Sequence, residues 1–191
     1  MVAEPKGRRW SVEEYLWLER NSAVKHEFVD GTVYALAGGT RAHSRIAINA
    51  GRLLDEALDA SPCRVFNSDM KVRISPRIFR YPDLAVSCDT RDDSADDEEF
   101  DYISYPTLIL ETLSDSTARE DRTTKFAEYR TIATFREYVL AAADRVAVHV
   151  YRRQDNDDWV PSSYVDGDDV ALESLGRALY HKVRLRPALS Y

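Results

Sequence analysis

The hydrophobic and polar pattern at the start of the chain predicts one helix followed by a β-hairpin. Ser11 and Glu14 form an S-x-x-E capping box, which predicts a helix over 12–20. Further on, Asp30 and Gly31 lie between two β-prone runs. This dipeptide is typical of a tight hairpin turn. We therefore expect the helix to lead into two antiparallel strands.

The rest of the chain predicts a second helix and then mostly consecutive strands. Ile46, Leu53, Leu54 and Leu58 recur at helical spacing within 42–58. A third helix is predicted between two of the later strands. The predicted strands cover 63–66, 70–74, 79–87, 106–113, 137–142 and 146–152. The third helix follows several possible N-caps at 114–117 and ends at about residue 131. This order predicts a mixed or α+β sheet rather than regular alternation of strand and helix.

Length and cysteine spacing limit the class of protein. The 191 residues show no internal repeat and no long linker, so we expect a single domain over 1–191. Cys63 and Cys88 are far apart and belong to no C-x-x-C motif, which we take to exclude a disulfide framework or a zinc knuckle. The N-terminus lacks the apolar core of a signal peptide. No apolar run reaches the roughly 18 residues of a membrane span. We expect a cytoplasmic protein with no membrane partner.

The charge balance is acidic, with 26 basic and 33 acidic residues and a net charge of −7. This argues against a nonspecific nucleic-acid coat, because such binding depends on neutralising phosphates. The protein can still be an enzyme that acts on nucleic acid, since the charge of a local site can differ from the net charge of the chain. Eight acids within 89–101 predict an exposed loop. The alternative for that segment is an acidic metal-binding loop.

Two carboxylates interrupt strands that are otherwise apolar. Asp83 precedes Leu84, and Glu111 lies inside the run 106–113. A buried carboxylate is costly unless it is paired, hydrogen-bonded or bound to metal. A Mg²⁺ ion would relieve the repulsion between two such groups and could activate a water for attack on a phosphate. The alternatives are structural: Asp83 caps a turn, and Glu111 pairs with Arg119 or Arg122.

A lysine follows on the predicted helix after the Glu111 strand. Asp121, Lys125 and Tyr129 share one helix face at i, i+4 and i+8. One interpretation is an exposed Asp121–Lys125 ion pair worth about 0.3–0.5 kcal/mol. The other is a cation that stabilises a phosphate under attack or orients the attacking water. For Tyr129 we expect packing against the sheet or support of the site.

Five ordered blocks carry a family resemblance over roughly residues 10 to 153. They read KHEFVDGTVYALAGGTRAHSRI, RYPDLAV, LILETLSDSTARED, DRTTKFAEYR and EYVLAAADRVAVHVYRR. With these blocks the chain resembles the Uma-type restriction-endonuclease-like family of the PD-(D/E)XK nuclease superfamily. The resemblance implies an α/β (α+β) restriction-endonuclease-like fold, with a central mixed β-sheet flanked by helices. It also implies Mg²⁺-dependent cleavage of DNA, with Mn²⁺ as a substitute, by a homodimer.

The same resemblance assigns roles to particular residues. Asp83, Glu111 and the backbone carbonyl of Thr112 would bind the metal. The superfamily's usual lysine lies two residues after the glutamate, where this chain has Leu113. Uma-type proteins carry that lysine on the next helix instead, and Lys125 matches the relocated position.

Two further residues match the family pattern less specifically. Glu27 corresponds to an acid before the hairpin turn. It would be either an added metal ligand or a charge at the edge of a strand. His43 corresponds to a histidine at the start of the long helix. It would contact phosphate or carry a proton, or be satisfied by local hydrogen bonds. Two rival functions stay open: a nuclease fold that only binds DNA or protein, and a hydrolase of RNA or a small phosphoester.

Overall fold

The computed structural model describes residues 8–93, 102–114 and 117–175, together with the backbone of 2–3 and 183–184. Within these residues, no helix is both long and apolar enough to cross a bilayer. The elements in chain order are β1 (Val2–Ala3), α1 (Val12–Asn21), β2 (His26–Val29), β3 (Thr32–Ala35), α2 (Arg41–Leu58), β4 (Arg64–Asn67), β5 (Lys71–Ser75), β6 (Ile78–Arg80), β7 (Leu84–Ser87), a 3₁₀ turn (Thr90–Asp92), β8 (Tyr102–Ile103), β9 (Pro106–Leu113), α3 (Ala118–Glu120), a π-helical turn (Asp121–Lys125), α4 (Phe126–Tyr129), β10 (Glu137–Ala142), β11 (Ala147–Arg153), β12 (Trp159–Val165), β13 (Asp169–Val170), a 3₁₀ turn (Glu173–Leu175) and β14 (Val183–Arg184).

The first sheet contains the predicted hairpin. Its strand order is β1-β3-β2-β6-β5-β8, and only β5 and β8 are parallel. Asp30 and Gly31 join β2 to β3 with φ angles of 48° and 85°. Two successive positive φ angles are the geometry that a two-residue hairpin turn requires. The predicted N-terminal helix and hairpin are therefore confirmed, with α1 one residue longer than expected.

The second sheet carries the longest strands. Its order is β12-β11-β10-β9-β7-β4, in which β9 and β10 are parallel and every other pair is antiparallel. A parallel pair needs a crossover connection. Here α3, the π-helical turn and α4 supply it as one continuous element, which we call the crossover helix, residues 118–129. The mixed sheets flanked by helices confirm the predicted fold class.

The predicted strand over 79–87 is two strands in two different sheets. The chain leaves β6 after Arg80 and enters β7 at Leu84. Pro82 lies between them and has no N–H to donate to a sheet ladder, so a continuous strand is interrupted there. As a result Asp83 lies at the junction of the two sheets, immediately before β7.

Both faces of β9 are covered by helices. Leu108 and Leu110 pack in the cluster that contains the buried residues of α2, whereas Ile109 and Leu113 pack in the cluster beneath the crossover helix. Alternate residues of a strand point to the same face. Glu111 therefore points toward the crossover helix and not toward α2. This orientation determines which helix can supply a cation to the Glu111 carboxylate.

The two cysteines form a disulfide, Cys63–Cys88. The prediction that the spacing of the two cysteines excludes a disulfide is therefore wrong. β4 and β7 are antiparallel with Arg64 opposite Ser87, so the residues flanking that pair face one another. Distance along the chain does not limit such a contact when sheet pairing brings the two strands together.

Beyond Asp155, the sequence pattern indicates only short apolar runs, but the structure contains the seven-residue strand β12. β12 is the outer strand of its sheet and is largely exposed, so its apolar pattern is weak. Pro161 lies within it, and an edge strand tolerates proline because one side of its backbone needs no partner.

Residues 94–101 of the acidic segment, which was predicted as an exposed loop, lie outside the described residues. Its first part is held in place by Asp92. The carboxylate of Asp92 accepts hydrogen bonds from the Ser87 hydroxyl at 2.7 Å, the Ser104 N–H at 2.9 Å and the Tyr105 N–H at 3.0 Å. Asp92 is thus a structural residue at the base of this segment.

Candidate functional site

One open cleft of about 1350 Å³ lies between α2, the junction of the sheets and the crossover helix. It exceeds the usual 300–1,000 Å³ of small-molecule pockets. The six residues proposed from the sequence come from five separate segments of the chain. They all line this cleft: Glu27, His43, Asp83, Glu111, Thr112 and Lys125.

Glu111 is buried inside the cleft with a lysine and a tyrosine. Lys125 Nζ donates to Glu111 Oε1 at 3.0 Å, and the Tyr129 hydroxyl donates to the same oxygen at 3.3 Å. Burial raises the pKa of Glu111 to about 8, and the charges of Asp121 and Asp83 act in the same direction while Lys125 opposes them. The fold therefore makes the negative charge on Glu111 costly, and a cation that binds beside it would relieve that cost.

Lys125 lies among three carboxylates. Its Nζ is 3.0 Å from Glu111, 3.1 Å from Asp121 and 3.9 Å from Glu27. Burial lowers the pKa of Lys125, but these carboxylates outweigh burial and raise the pKa well above its usual range. The alternative of an exposed Asp121–Lys125 pair is wrong, because both residues are buried. Leu113 is packed in the core, so the cation reaches Glu111 from the helix and not from β9.

Asp83 links the backbone after Glu111 to the start of α2. The Thr112 N–H donates to Asp83 Oδ2 at 2.6 Å, and His43 Nε2 lies 3.0 Å from the same oxygen. Thr40 accepts from the backbone N–H of His43, which fixes the first turn of α2. The hydrogen bond to Asp83 raises the pKa of His43, in spite of partial burial. The side chain of His43 thus pairs with a distant carboxylate rather than with its own helix.

Glu27 is fully buried, and both of its oxygens have partners. Oε2 accepts from Arg80 at 2.6 Å, and Oε1 accepts from the Tyr81 N–H at 3.2 Å. Arg80 also binds Glu128 through two nitrogens, at 2.8 and 2.9 Å, and Glu120 at 3.3 Å. Arg80 therefore ties the crossover helix to β2, and Glu27 contributes negative charge beside Lys125.

Sequence reasoning missed Arg80 and the burial of Asp121. Arg80 begins the quoted block RYPDLAV, but an arginine at the end of a strand gives no local sign that three acids will surround it. Asp121 is recognised in the sequence only as a helix neighbour of Lys125. The spacing of i and i+4 shows that the two are adjacent but does not show that both are buried.

The chemistry of the donors fits a hard divalent cation, although their present spacing is loose. Among the described residues, no three His, Cys, Asp or Glu side chains are grouped to coordinate one ion. Mg²⁺, however, is commonly held by one or two carboxylates and keeps several waters. Charge also favours a cation here. Among the contacts of the described residues, six carboxylates, of Glu27, Asp83, Glu111, Glu120, Asp121 and Glu128, contact or adjoin the cations of Arg80 and Lys125 and the imidazole of His43.

Comparisons with known proteins bear on the fold and on the family of this chain. The fold is similar to the crystal structure of a putative nuclease belonging to DUF820 from Anabaena variabilis, with a TM-score of 0.71 and 17% identity over 86% of this chain and 90% of that one. Two uncharacterized proteins of Synechocystis sp. are similar in sequence. The protein slr1290 is 36% identical over 87% of this chain and 86% of its own length, and sll1609 is 30% identical over 84% and 89%. Residues 12–181 match the family described as "Putative restriction endonuclease", and the chain therefore belongs to the Uma2 family.

Proposed function

We propose that this protein is a Mg²⁺-dependent endonuclease that hydrolyses phosphodiester bonds of DNA. The observation that carries the proposal is the pairing of buried Glu111 with Lys125 at 3.0 Å, beside Asp83, within a cleft open to solvent. The volume of the cleft, about 1350 Å³, is above the usual range of small-molecule pockets. Membership of the Uma2 family agrees with nuclease chemistry.

Each residue has a distinct role in this proposal. Asp83 and Glu111, with the carbonyl of Thr112, would hold Mg²⁺ or Mn²⁺. Such an ion would supply Lewis-acid chemistry, which polarises a phosphoryl oxygen and lowers the pKa of an attacking water. As a ligand, Glu111 would be ionised, and Lys125 would counter the negative charge that develops on the phosphate.

His43 adds positive charge on the α2 side of the cleft. Its hydrogen bond with Asp83 favours the protonated ring. A protonated imidazole can contact a substrate phosphate or give a proton to the leaving oxygen. Glu27 is not needed as a ligand here, because its oxygens already bind Arg80 and the Tyr81 N–H.

The test is a cleavage assay on double-stranded DNA, single-stranded DNA, RNA and a small phosphodiester, with Mg²⁺, Mn²⁺ or EDTA. We expect metal-dependent cleavage of DNA that is lost in Asp83→Asn. The control is Asp55→Asn, which changes an exposed carboxylate of the same cleft. Cleavage of RNA or of the small ester alone would favour the rival hydrolase. DNA binding without any cleavage would favour a binding module.

We also propose a cytoplasmic homodimer, since cutting both strands of a duplex takes two sites and twofold dimers are the commonest assemblies. Light scattering on the purified protein measures the mass directly. A monomer at micromolar concentration, with and without DNA, would contradict the dimer. Disulfides are rare in the cytoplasm, so thiol labelling of the protein in cell extracts tests whether Cys63–Cys88 forms there.

A further inference from the structure

Asp121 is a buried carboxylate that lacks hydrogen-bond donors. It is 1% exposed, and neither of its side-chain oxygens accepts a hydrogen bond from any described residue. A buried acceptor without a donor costs free energy, and a charged one costs more. The described residues therefore place an acceptor in the cleft without a hydrogen-bond donor for it.

The neighbouring ammonium only partly compensates Asp121. Lys125 Nζ lies 3.1 Å from Asp121 Oδ1, outside hydrogen-bond geometry, and it donates a true hydrogen bond to Glu111 at 3.0 Å. Glu27 lies 3.9 Å from the same nitrogen. One positive charge is thus shared by three carboxylates, and the contact of Asp121 with the ammonium is poorer than that of Glu111.

Asp121 is also placed toward the proposed metal ligands. It lines the same cleft as Asp83 and Glu111, and its charge acts on both Glu111 and His43. The backbone holds it there, because the Tyr138 hydroxyl donates to the Asp121 carbonyl at 3.0 Å. Asp121 opens the π-helical turn that also carries Lys125, and such turns are frequent at functional sites.

We propose that Asp121 accepts hydrogen bonds from water molecules carried by a divalent cation at Asp83 and Glu111. This inference rests on the proposed function. Mg²⁺ keeps several of its waters in proteins, and each such water presents two donors. An acceptor at this place would be satisfied when the hydrated ion binds. It need not come within ligand distance, which agrees with the loose spacing of the acids.

The test is calorimetric titration of Mn²⁺ into the wild type, Asp121→Asn and the control Asp55→Asn. Outer-shell partners of a metal commonly contribute about 10- to 100-fold in affinity. We expect a loss of that size in Asp121→Asn and no change in Asp55→Asn. Equal affinity in all three proteins would overturn the inference while leaving the proposed function intact. A wild type that binds no Mn²⁺, even with a DNA oligonucleotide present, would contradict the proposed function itself.

A second comparison separates metal binding from simple pairing with Lys125. Lys125→Met and the double variant Lys125→Met/Asp121→Asn are titrated in the same way. If Asp121 binds the hydrated ion, its substitution still weakens Mn²⁺ binding when the lysine is absent. If Asp121 acts only on Lys125, the two proteins bind equally, which overturns the inference. The double variant removes both charges together, so it also serves if Asp121→Asn alone leaves an unpaired charge and fails to fold.

Discussion

Two buried glutamates on the parallel strands β9 and β10 have different surroundings. The carboxylate of Glu137 accepts four hydrogen bonds: from Arg152 at 2.7 Å, the Glu173 N–H at 3.0 Å, the Ser174 N–H at 3.2 Å and the Ser174 hydroxyl at 2.6 Å. Glu111 accepts two, both on the same oxygen, from Lys125 and Tyr129. Both residues are buried glutamates, but they differ in how many hydrogen bonds compensate the burial of the carboxylate.

This difference separates a structural charge from a candidate functional one. The contacts of Glu137 fasten the 3₁₀ turn at 173–175 to the sheet, and they use both oxygens of the carboxylate. Glu111 faces an open cleft, and burial raises its pKa to about 8. A perturbed, incompletely compensated acid in a cleft is a site candidate, whereas burial of a charge alone is not.

Glu111→Gln should have the largest effect, and it should fall on activity. The amide keeps the shape of the side chain but is a poor ligand for Mg²⁺. Because a bound metal contributes several kcal/mol to the transition state, we expect cleavage to fall by about 10³-fold or more. Initial rates on labelled DNA measure this, and circular dichroism checks the fold. Full activity in a folded Glu111→Gln protein would show that the site is wrongly assigned.

The pH dependence of stability should differ between the wild type and Glu111→Gln. Glu111 has a pKa of about 8 in the fold against 4.5 when unfolded, so the folded protein binds the extra proton between these values. The stability it contributes is complete below pH 4.5 and is lost as the pH rises through 8. Relative to Glu111→Gln, the wild type should lose up to about 1.4 kcal/mol per pH unit in that window.

Urea unfolding of metal-free protein between pH 5 and 9 measures this difference. Subtracting the two curves removes the titration of all other groups that the substitution leaves unchanged. A difference that does not vary with pH would mean that Glu111 is already ionised in the fold, and the contrast with Glu137 would then be lost.

Glu137→Ala should instead reduce stability. It leaves the partly buried Arg152 and several N–H groups without their acceptor, and breaking such a pair typically costs about 3–5 kcal/mol. Urea unfolding at pH 7 gives the value. Metal affinity, measured on the folded fraction, should stay at the wild-type level. A change in metal affinity with unchanged stability would reverse the roles we assign to the two glutamates.

Gly39→Ala should produce the smallest effect, by displacing His43. A Cβ on Gly39 would lie 2.8 Å from Nδ1 of His43, so the ring must shift, and we expect the shift to disturb its contact with Asp83. We expect the pKa of His43 to fall back toward 6.5 and cleavage to slow by about tenfold or more. Gly38→Ala is the matched control, because its Cβ would meet nothing within 4 Å. NMR titration of the ring follows the pKa, and identical profiles for the two variants would exclude this role of Gly39.

Much of the fold was predictable because the signals are local. Asp30 and Gly31 specify a turn by their own backbone preferences, and the apolar run 106–113 is long enough to mark a central strand. The edge strand β12 was missed, since an edge strand that is largely exposed needs few apolar residues. The division of 79–87 into two strands depends on Pro82. The effect of a proline on a strand is local, so this division could have been predicted from the sequence.

The candidate site was predictable only in part. Asp83, Glu111 and Lys125 are named by strand interruption and family pattern, and the structure places them in one cleft. The role of Arg80 was not predictable, because its partner Glu27 is distant in the sequence. The state of the Asp121 oxygens was not predictable either, because no described residue donates a hydrogen bond to them.

By itself the sequence determined the type and order of most elements and which acids interrupt apolar strands. Those properties follow from backbone preference and periodicity over a few residues. Tertiary structure alone decided that Cys63 meets Cys88, that Arg80 holds Glu27, and that Glu111 is less compensated than Glu137. The physical reason is that compensation of a buried charge depends on the sum of all nearby donors and charges, and sheet pairing and helix packing bring these together from distant segments of the chain.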